Sequence, residues 1–362
     1  MPSRDSGAEQ ISNVNKLARL SLVGVVVLGV GIGFAYAGGW LSPHKLTPGR
    51  FIDTFEQING VHPGFRRNHA KGVCVSGYFD SNGQGARLSK AVVFQRGRVS
   101  VFGRFALAGG MPHAADAVQT VRSMALLFSL PNGEEWRTGM NSIPVFVVNT
   151  PEAFREQLIS TRPDPKTGKP DPASVKAFLL HHPESARAIE TIKAQPIASG
   201  FDNSTFNSLN AFEFIDRAGK PTAVRWSMVP EQAFAPSATQ RTQGNENFLF
   251  DALIARLNQQ PLKWRLVLTI RQPSDSTSDA TIAWPSDREH VDVGTLTINK
   301  IESEDTSPIR NVNFDPLVLP NGIRGSDDPL LSARSAAYSQ SFTRRAGEPH
   351  VPSAITASEV GK

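Results

Sequence analysis

The feature that most limits the fold is a series of short runs rich in Val and Phe between residues 73 and 148, broken by Gly and Asn. The runs are VCVSGYF, AVVFQRG, VSVFGRFAL, MALLFSL and PVFVV. Such runs, separated by turn residues such as Asn82 and Gly83, are typical of antiparallel strands in a barrel or meander. Further strands are predicted at 211–214, 222–228, 264–271 and 295–301, and helices at 51–58, 150–158, 173–191, 247–259 and 330–345. The sequence thus predicts an α+β chain, an antiparallel β domain with helical insertions.

An uncharged apolar segment, Leu20 to Ala37, follows basic residues near the N-terminus. Its length is close to the roughly 20 residues that a membrane span needs, and the preceding positive charge favours a cytoplasmic start. The end of the segment also has the small-x-small form of a signal-peptidase site. A cleaved export signal and a retained anchor are both open, and the long polar leader favours the anchor. We expect residues 1–19 in the cytoplasm and residues 20–40 as a transmembrane anchor or signal segment.

Composition excludes several classes of protein. A single cysteine, Cys74, among 362 residues excludes an internal disulfide framework, a zinc ribbon and haem attached through a CxxCH pair. Its apolar surroundings indicate an inert core residue. The net charge of +5 is spread along the chain without a long basic run, so nucleic acid is not an expected partner. The eight histidines form no HExxH motif, and neither GxSxG nor a Walker loop occurs.

Four short motifs carry the functional signal. They are H-A-K-G-x-x-x-x-G-Y-F from His69 to Phe79, Gly-x-Asn ending at Asn141, Pro183-Glu184-Ser185, and R-x-x-x-Y from Arg334 to Tyr338. In this order the set resembles the haem catalase superfamily, most of all the short exported catalase-related peroxidases. The resemblance runs from about residue 65 to residue 345. It implies a catalase-like antiparallel β-barrel enclosing haem b over residues 45–345, followed by a flexible tail over residues 346–362.

The resemblance also implies a role for individual side chains. Tyr338 would be the axial ligand of the haem iron, and Arg334, one helical turn earlier, would stabilise the phenolate of a group that otherwise ionises near pH 10. His69 would be the distal acid–base group that takes a proton from the peroxide and returns it. Asn141 would orient the peroxide by a hydrogen bond. The other expected haem contacts are those of Arg66, Arg104 and Arg345 with the propionates and of Phe154 with the haem face.

Two positions depart from the family pattern. Ala106 stands two residues after Arg104, where the family has a Ser that bonds the far nitrogen of the distal His, so His69 must be oriented from elsewhere. Asn68 stands where typical catalases carry Val. The chain also lacks the C-terminal helical region that follows the haem tyrosine in full-length catalases.

These features together predict a haem-dependent peroxidase that reduces hydrogen peroxide or organic hydroperoxides through a ferryl intermediate, with weak or no catalase activity. The expected partners are a peroxide, an unidentified electron donor and the bacterial inner membrane through residues 20–40, which places the enzyme in the periplasm. A homo-oligomer is also compatible with the resemblance. Three alternatives stay open: a true catalase, a hydroperoxide-rearranging enzyme of the allene oxide synthase type, and a barrel that binds haem without turnover.

Overall fold

The computed structural model describes residues 6–38, 41, 45–237 and 244–360, and the chain divides into two compact units, residues 1–50 and 51–362. In the first unit, helix α1 (Ser6–Ala37) contains the exposed segment Ala18–Tyr36, which is long and apolar enough to cross a membrane. A signal sequence meets the same criterion, so α1 is compatible with export in either form. Residues 1–5 of the predicted cytoplasmic segment, 39–40 of the predicted apolar segment and 361–362 of the predicted tail lie outside the described residues.

An antiparallel sheet forms the framework of the second unit. Its strands are β1 (Gly72–Ser81), β2 (Gly97–Leu107), β3 (Arg122–Ser129), β4 (Glu135–Asn141), β5 (Phe206–Asn207), β6 (Phe212–Ile215), β7 (Pro221–Pro230), β8 (Leu262–Ile270), β9 (His290–Glu302) and β10 (Ile323–Gly325). Their order across the sheet is β10-β6-β7-β5-β4-β3-β2-β1-β9-β8, and β7 also pairs with β8. Within the described residues, eight strands therefore close into a barrel, and β6 and β10 extend the sheet beside β7. The predicted α+β fold with an antiparallel barrel is confirmed.

The remaining helices lie in the connections between strands and at the two ends of the unit. They are α2 (Pro48–Asn59), α3 (Pro151–Ser160), α4 (Pro172–His181), α5 (Pro183–Lys193), α6 (Phe248–Gln259), α7 (Pro329–Ala346) and α8 (Ala357–Val360). Proline at the first helical position lacks the N–H that would have no intrahelical partner there. Pro183 divides the helix predicted over 173–191 into α4 and α5. A proline inside a helix would remove a hydrogen bond and clash with the preceding turn, so the chain ends one helix and begins the next at this residue.

Aromatic side chains fill the interior of the barrel. Trp136, Trp226 and Trp264 are each at most 1% exposed. The ring of Trp136 stacks on Phe128 with centroids 4.7 Å apart and meets Trp226 edge-on at 5.1 Å. Because each such ring buries about 150–250 Å² of surface, the inner faces of the strands form the main hydrophobic core. The outer faces of β2, β3 and β4 are left for the site described below.

Two of the predicted strands are wrong. Residues Val92–Phe94 of the AVVFQRG run form a 3₁₀ turn, and the PVFVV run over residues 144–148 is irregular. Phe94 and Val148 are nevertheless fully buried. Short apolar runs reflect burial and do not by themselves distinguish a strand from a packed loop. The prediction conversely omits β4, whose sequence EWRTGMN contains few of the residue types that favour strands.

Residues 347–360, which belong to the flexible tail that the sequence predicts over residues 346–362, make contacts with the rest of the second unit. Glu348 accepts hydrogen bonds of 2.8 Å from the amide of Gly64 and from Arg67 Nη1. Ile355 is fully buried in the main core. A single apolar anchor and pairing with residues far away in the chain leave no periodic signal, which explains why the segment resembles a tail in sequence.

Candidate functional site

One cavity on the outer face of the barrel is lined by all eight residues that the sequence predicts for the site. These residues are Arg66, His69, Arg104, Asn141, Phe154, Arg334, Tyr338 and Arg345. The cavity has an empty volume of about 1290 Å³, part of which is open to solvent. Its walls are the outer faces of β2 to β4, helices α2, α3 and α7, and the loops around residues 66–69 and 312–314. The fold therefore brings together residues from both ends of the second unit.

Strand alternation decides which side chains reach the cavity, because successive residues point to opposite faces of a sheet. Phe105 and Met140 are buried in the barrel core, and their neighbours Arg104 and Asn141 line the cavity. The pairing register aligns three cavity residues in one row across the strands, Ala106 opposite Ser123 and Ser123 opposite Asn141. The amide of Asn141 makes no hydrogen bond to another described side chain, which leaves it available to the contents of the cavity.

Tyr338 and Arg334 project from α7 towards Gly139 on β4. A Cβ added to Gly139 would lie 3.2 Å from Tyr338 Oη and 3.4 Å from Arg334 Nη2, so both polar groups occupy the space above this glycine. Arg334 Nη2 donates to the carbonyl oxygen of Gly139 at 2.9 Å. The hydroxyl of Tyr338 has no hydrogen bond to another described residue. A permanent cation and an unpaired phenol thus face the cavity together.

The beginning of α7 is fixed by a chain of polar contacts that the sequence analysis missed. Arg334 Nη1 donates to Asn210 Oδ1, and Asn210 Nδ2 donates to Asp328 Oδ2 at 2.7 Å. Asp328 Oδ1 in turn accepts from the amide of Leu330 at 2.9 Å and caps the helix. Burial raises the pKa of Asp328 despite these contacts. The only sequence signal for this network is the N-cap pattern Asp-Pro at the start of α7.

His69 faces the cavity in an unusual main-chain conformation, with φ at 54°. Its Nδ1 is buried and has no hydrogen-bond partner among the described residues. Burial, and then the charges of Arg104 and Arg334, lower the pKa of His69 to about 3. The imidazole is therefore neutral over the physiological range and can accept a proton from a bound acid.

Three arginines that line the cavity surround one buried carboxylate, Glu304. Glu304 accepts from Arg66 Nη1 at 2.8 Å and from Arg104 Nε and Nη2 at 2.8 and 3.0 Å. Burial alone would raise the pKa of Glu304, but Arg104 and Arg66 lower it, so the carboxylate is ionised. Arg345 makes no side-chain hydrogen bond to a described residue although its side chain is buried. Burial and the nearby arginines lower the pKa of Arg66 to about 9, and burial lowers that of Arg345 to about 10.

Phe154 belongs to an aromatic cluster at the cavity wall. Its ring centroid lies 5.5 Å from Phe51, 6.0 Å from Phe55 and 5.1 Å from Phe146. Phe51 and Phe55 come from α2, which the sequence analysis predicts as a helix but does not place at the site. The cluster gives the cavity an apolar, flat-sided wall.

Cys74 lies behind the site and has no chemical role in it. The side chain is fully buried, and burial raises the pKa of its thiol to about 12. A protonated, inaccessible thiol is neither a nucleophile nor a metal ligand. The interpretation of Cys74 as an inert core residue agrees with this environment.

Comparison with known proteins settles the family. The catalase family model matches residues 42–355, most of the chain. The chain belongs to the catalase family. Two relatives are each named a catalase-related peroxidase. The one from Synechococcus elongatus is 36% identical over 330 residues, which cover 91% of this chain and 95% of the relative. The one from Mycolicibacterium paratuberculosis is 33% identical over 304 residues, which cover 83% and 96%.

Solved catalases share the fold of this catalase-family chain. A fungal catalase superposes with a TM-score of 0.72 at 18% identity, covering 86% of this chain and 65% of its own. Catalase A from Saccharomyces cerevisiae gives a TM-score of 0.71 at 20% identity, covering 82% and 64%. The chain thus spans less than two thirds of the length of these catalases, whereas it spans nearly all of the two catalase-related peroxidases.

The residues of the cavity fit haem, the group that the catalase family implies. Arg66, Arg104 and Arg345 carry three positive charges against the single carboxylate of Glu304, and the surplus of two matches the two propionates of haem. Arg345 in particular is a buried cation without a carboxylate partner. In the same cavity, the unpaired hydroxyl of Tyr338 offers the oxygen ligand that catalase-type haem requires.

Proposed function

We propose that this chain is a haem b peroxidase of the catalase-related type. It reduces hydrogen peroxide or organic hydroperoxides with electrons from an organic donor and has weak or no catalase activity. The observation that carries the proposal is the meeting of His69, Asn141 and Tyr338 on the walls of one cavity. The names of the two relatives, whose full length the chain matches, support a peroxidase over a catalase.

Haem bound in the cavity would supply the redox chemistry that cleaves the O–O bond of a peroxide. Tyr338 would hold the iron through its phenolate oxygen, and the guanidinium of Arg334 lies beside that oxygen above Gly139. Arg345, which makes no hydrogen bond to another described residue and lies over the ring of Phe342, would pair with a propionate. Phe154 would pack against the porphyrin with the aromatic cluster of α2.

His69 and Asn141 provide the polar chemistry on the peroxide side. The neutral imidazole of His69 would take a proton from one oxygen of a bound peroxide and return it to the other, so that no net charge separates. Asn141 donates a hydrogen bond that orients the peroxide without adding charge. Asn141 ends β4 and His69 lies in the loop before β1, and both side chains line the same cavity.

An apolar wall around the same cavity supports organic hydroperoxides as substrates. Phe51, Ile52, Phe55 and Phe146 line it beside Phe154. Burial of apolar substrate surface against them contributes about 25 cal/mol per Å². Hydrogen peroxide gains nothing from such a wall, whereas a hydroperoxide with an alkyl or aryl group does.

Spectroscopy and two variants test the proposal. Purified holoprotein should show a Soret band and the high-spin ferric bands of tyrosinate ligation. Tyr338→Phe should lose or shift this spectrum, and His69→Ala should keep it while losing its reaction with peroxide. Absence of haem after expression with sufficient haem supply would overturn the assignment. Vigorous oxygen release from hydrogen peroxide without oxidation of added donors would identify a true catalase.

We further propose that the chain is exported and held at the periplasmic face of the inner membrane by residues 20–40. Support comes from the exposed apolar segment Ala18–Tyr36 of α1 and the basic residues before it. Extraction of cell membranes with alkaline carbonate should leave the protein in the pellet. Recovery of a soluble periplasmic form that begins just after Ala37 would instead show a cleaved signal.

A further inference from the structure

The conformation of His69 needs an explanation beyond its imidazole, whose polar contact is with the main chain of Leu107 and not with another side chain. Nδ1 is buried without a partner among the described residues. Ala106, in the cavity row of β2, has no group that could bond it. The main chain at His69 is also in the left-handed region at φ 54°, a conformation that is strained for a residue with a Cβ. Surrounding groups must therefore hold this residue.

Asn68 holds the amide side of His69. Its Oδ1 accepts from the amide of His69 at 2.9 Å and from the amide of Gly109 at 2.9 Å. The Gly109 carbonyl in turn accepts from the amide of Ala70 at 2.9 Å. Although Asn68 lines the cavity, its acceptor is directed to the main chain. One side-chain oxygen thus ties the strained residue to the loop that follows β2.

Arg104 holds the carbonyl side of His69. Its Nη1 donates to the carbonyl oxygen of His69 at 2.7 Å, and its Nη2 donates to that of Ala70 at 3.1 Å. The guanidinium is itself held by two bonds to the carboxylate of Glu304. A Cβ on Gly72 would lie 2.4 Å from Arg104 Cζ, so the guanidinium crosses the start of β1 where only glycine leaves room.

The geometry points to a role that no motif indicates. We propose that Asn68 and Glu304 are positioning residues that hold His69 by its main chain, Asn68 at the amide and Glu304, through Arg104, at the carbonyl. The held main chain fixes the point from which the imidazole projects, and the main chain of Leu107 contacts the ring itself. Arg104 accordingly makes four hydrogen bonds within the protein. It contributes to the position of His69 as much as it would contribute to the binding of a haem propionate.

This inference rests on the proposed acid–base role of His69, and the variants separate the two ideas. Asn68→Leu keeps the approximate shape of the side chain and removes the acceptor oxygen, and Asn68→Asp keeps the acceptor. Glu304→Gln removes the charge and one acceptor of Arg104. Glu302→Gln is its matched control, since Glu302 is partly exposed and bonds Lys300 and Ser307 rather than Arg104.

Three properties of the holoprotein are measured for each variant. They are the haem content, the dissociation constant of cyanide, and the rate of amide hydrogen exchange in peptides that cover residues 66–72 and 107–111. Cyanide is the probe because hydrogen cyanide gives its proton to a nearby base when it binds ferric haem. Asn68→Leu should keep haem, weaken cyanide roughly tenfold and speed exchange in both peptides, since a small misplacement of a catalytic group has effects of this size or larger. Asn68→Asp should keep both the cyanide affinity and the exchange rates within about twofold of the wild-type values. Glu304→Gln should weaken the binding of cyanide, whereas Glu302→Gln should not.

The results divide as follows. Unchanged cyanide affinity and exchange in Asn68→Leu would overturn the proposal. Equal losses in Asn68→Leu and Asn68→Asp would also overturn it, because the acceptor would then be irrelevant. The Asn68 pair decides the matter if Glu304→Gln does not accumulate. If His69→Ala keeps its full reaction with peroxide, the acid–base role fails instead, while faster exchange in Asn68→Leu still shows that the main chain is held as proposed.

Discussion

Gly139 on β4 faces the hydroxyl of Tyr338 on α7, and a Cβ at this glycine would lie 3.2 Å from that oxygen. The same Cβ would lie 3.4 Å from Arg334 Nη2. Both distances are tighter than most contacts of a real Cβ, so a side chain at position 139 must displace one of the two polar groups. The spacing between barrel and α7 is therefore set for a phenol and a guanidinium side by side.

Gly139→Val should displace Tyr338 and Arg334 and so disturb haem ligation, whereas Gly139→Ala should have a smaller effect. Overpacking of this kind costs typically 1–3 kcal/mol, and the displaced hydroxyl should change the high-spin ferric bands. Haem content, the absorption spectrum and the melting temperature of both variants check the prediction. A Val variant with the wild-type spectrum would show that Tyr338 does not depend on this contact.

Arg345→Met should weaken haem binding without destabilising the apoprotein. Arg345 is buried and makes no hydrogen bond to another described residue, so replacing it with an apolar side chain of similar length removes a costly buried charge and should not lower the stability of the apoprotein. With haem present, the loss of a propionate partner should speed transfer of haem to apomyoglobin several-fold. Arg98→Met is the control, because Arg98 is an exposed arginine that pairs with Asp80. Loss of apoprotein stability with unchanged haem transfer would contradict the prediction.

The rate of reaction with peroxide should be independent of pH between about pH 5 and 8. Burial and the charges of Arg104 and Arg334 lower the pKa of His69 to about 3, below its usual 6.5. The reactive neutral form is therefore complete above pH 5, and the rate should fall only as the pH approaches 3. Stopped-flow rate constants with hydrogen peroxide across this range measure it. A half-maximal rate near pH 6.5 would mean that the imidazole is far more hydrated than the structure shows.

The sequence predicts much of the site because its residues lie in motifs that are local. H-A-K-G, Gly-x-Asn and R-x-x-x-Y each contribute candidate site residues, and the barrel brings these residues together on the walls of one cavity. Asn210, Glu304 and Asp328 belong to no such motif. Asn210 contacts Arg334, Glu304 contacts Arg66 and Arg104, and Asp328 caps α7. Long-range pairing of this kind has no periodic signature in the sequence.

The fold shows the same division between local and long-range information. Helices with strong periodicity, such as α6 and α7, are predicted within a few residues of their observed bounds. The predictions differ from the structure at residues 92–94 and 144–148. The packing partners of these two segments, and of residues 347–360, are distant in sequence. The apolar side chains of Phe94 and Ile355 are suited to burial, but only the folded chain determines which residues they pack against.

His182 should stabilise the helices beside the site in a manner that depends on pH. Its Nε2 lies 3.0 Å from Glu156 on α3 and its Nδ1 3.0 Å from Glu184 on α5, and hydrogen bonding first to Glu156 and then to Glu184 raises the pKa of His182 above 6.5. Because the folded pKa is the higher one, the contribution is complete below pH 6.5 and is lost as the pH rises through the folded value. The side chain is 18% exposed, so about 0.5–1 kcal/mol is expected.

Urea denaturation of wild type and His182→Gln at pH 5.5 and pH 9 measures this contribution. The difference in unfolding free energy should be about 0.5–1 kcal/mol at pH 5.5 and close to zero at pH 9. Glu156→Gln, which removes the stronger of the two carboxylate partners, should reduce the dependence on pH while leaving His182 in place. An equal difference at the two pH values would show that His182 acts by packing on Phe178, whose ring stacks on the imidazole at 4.6 Å, rather than by its charge.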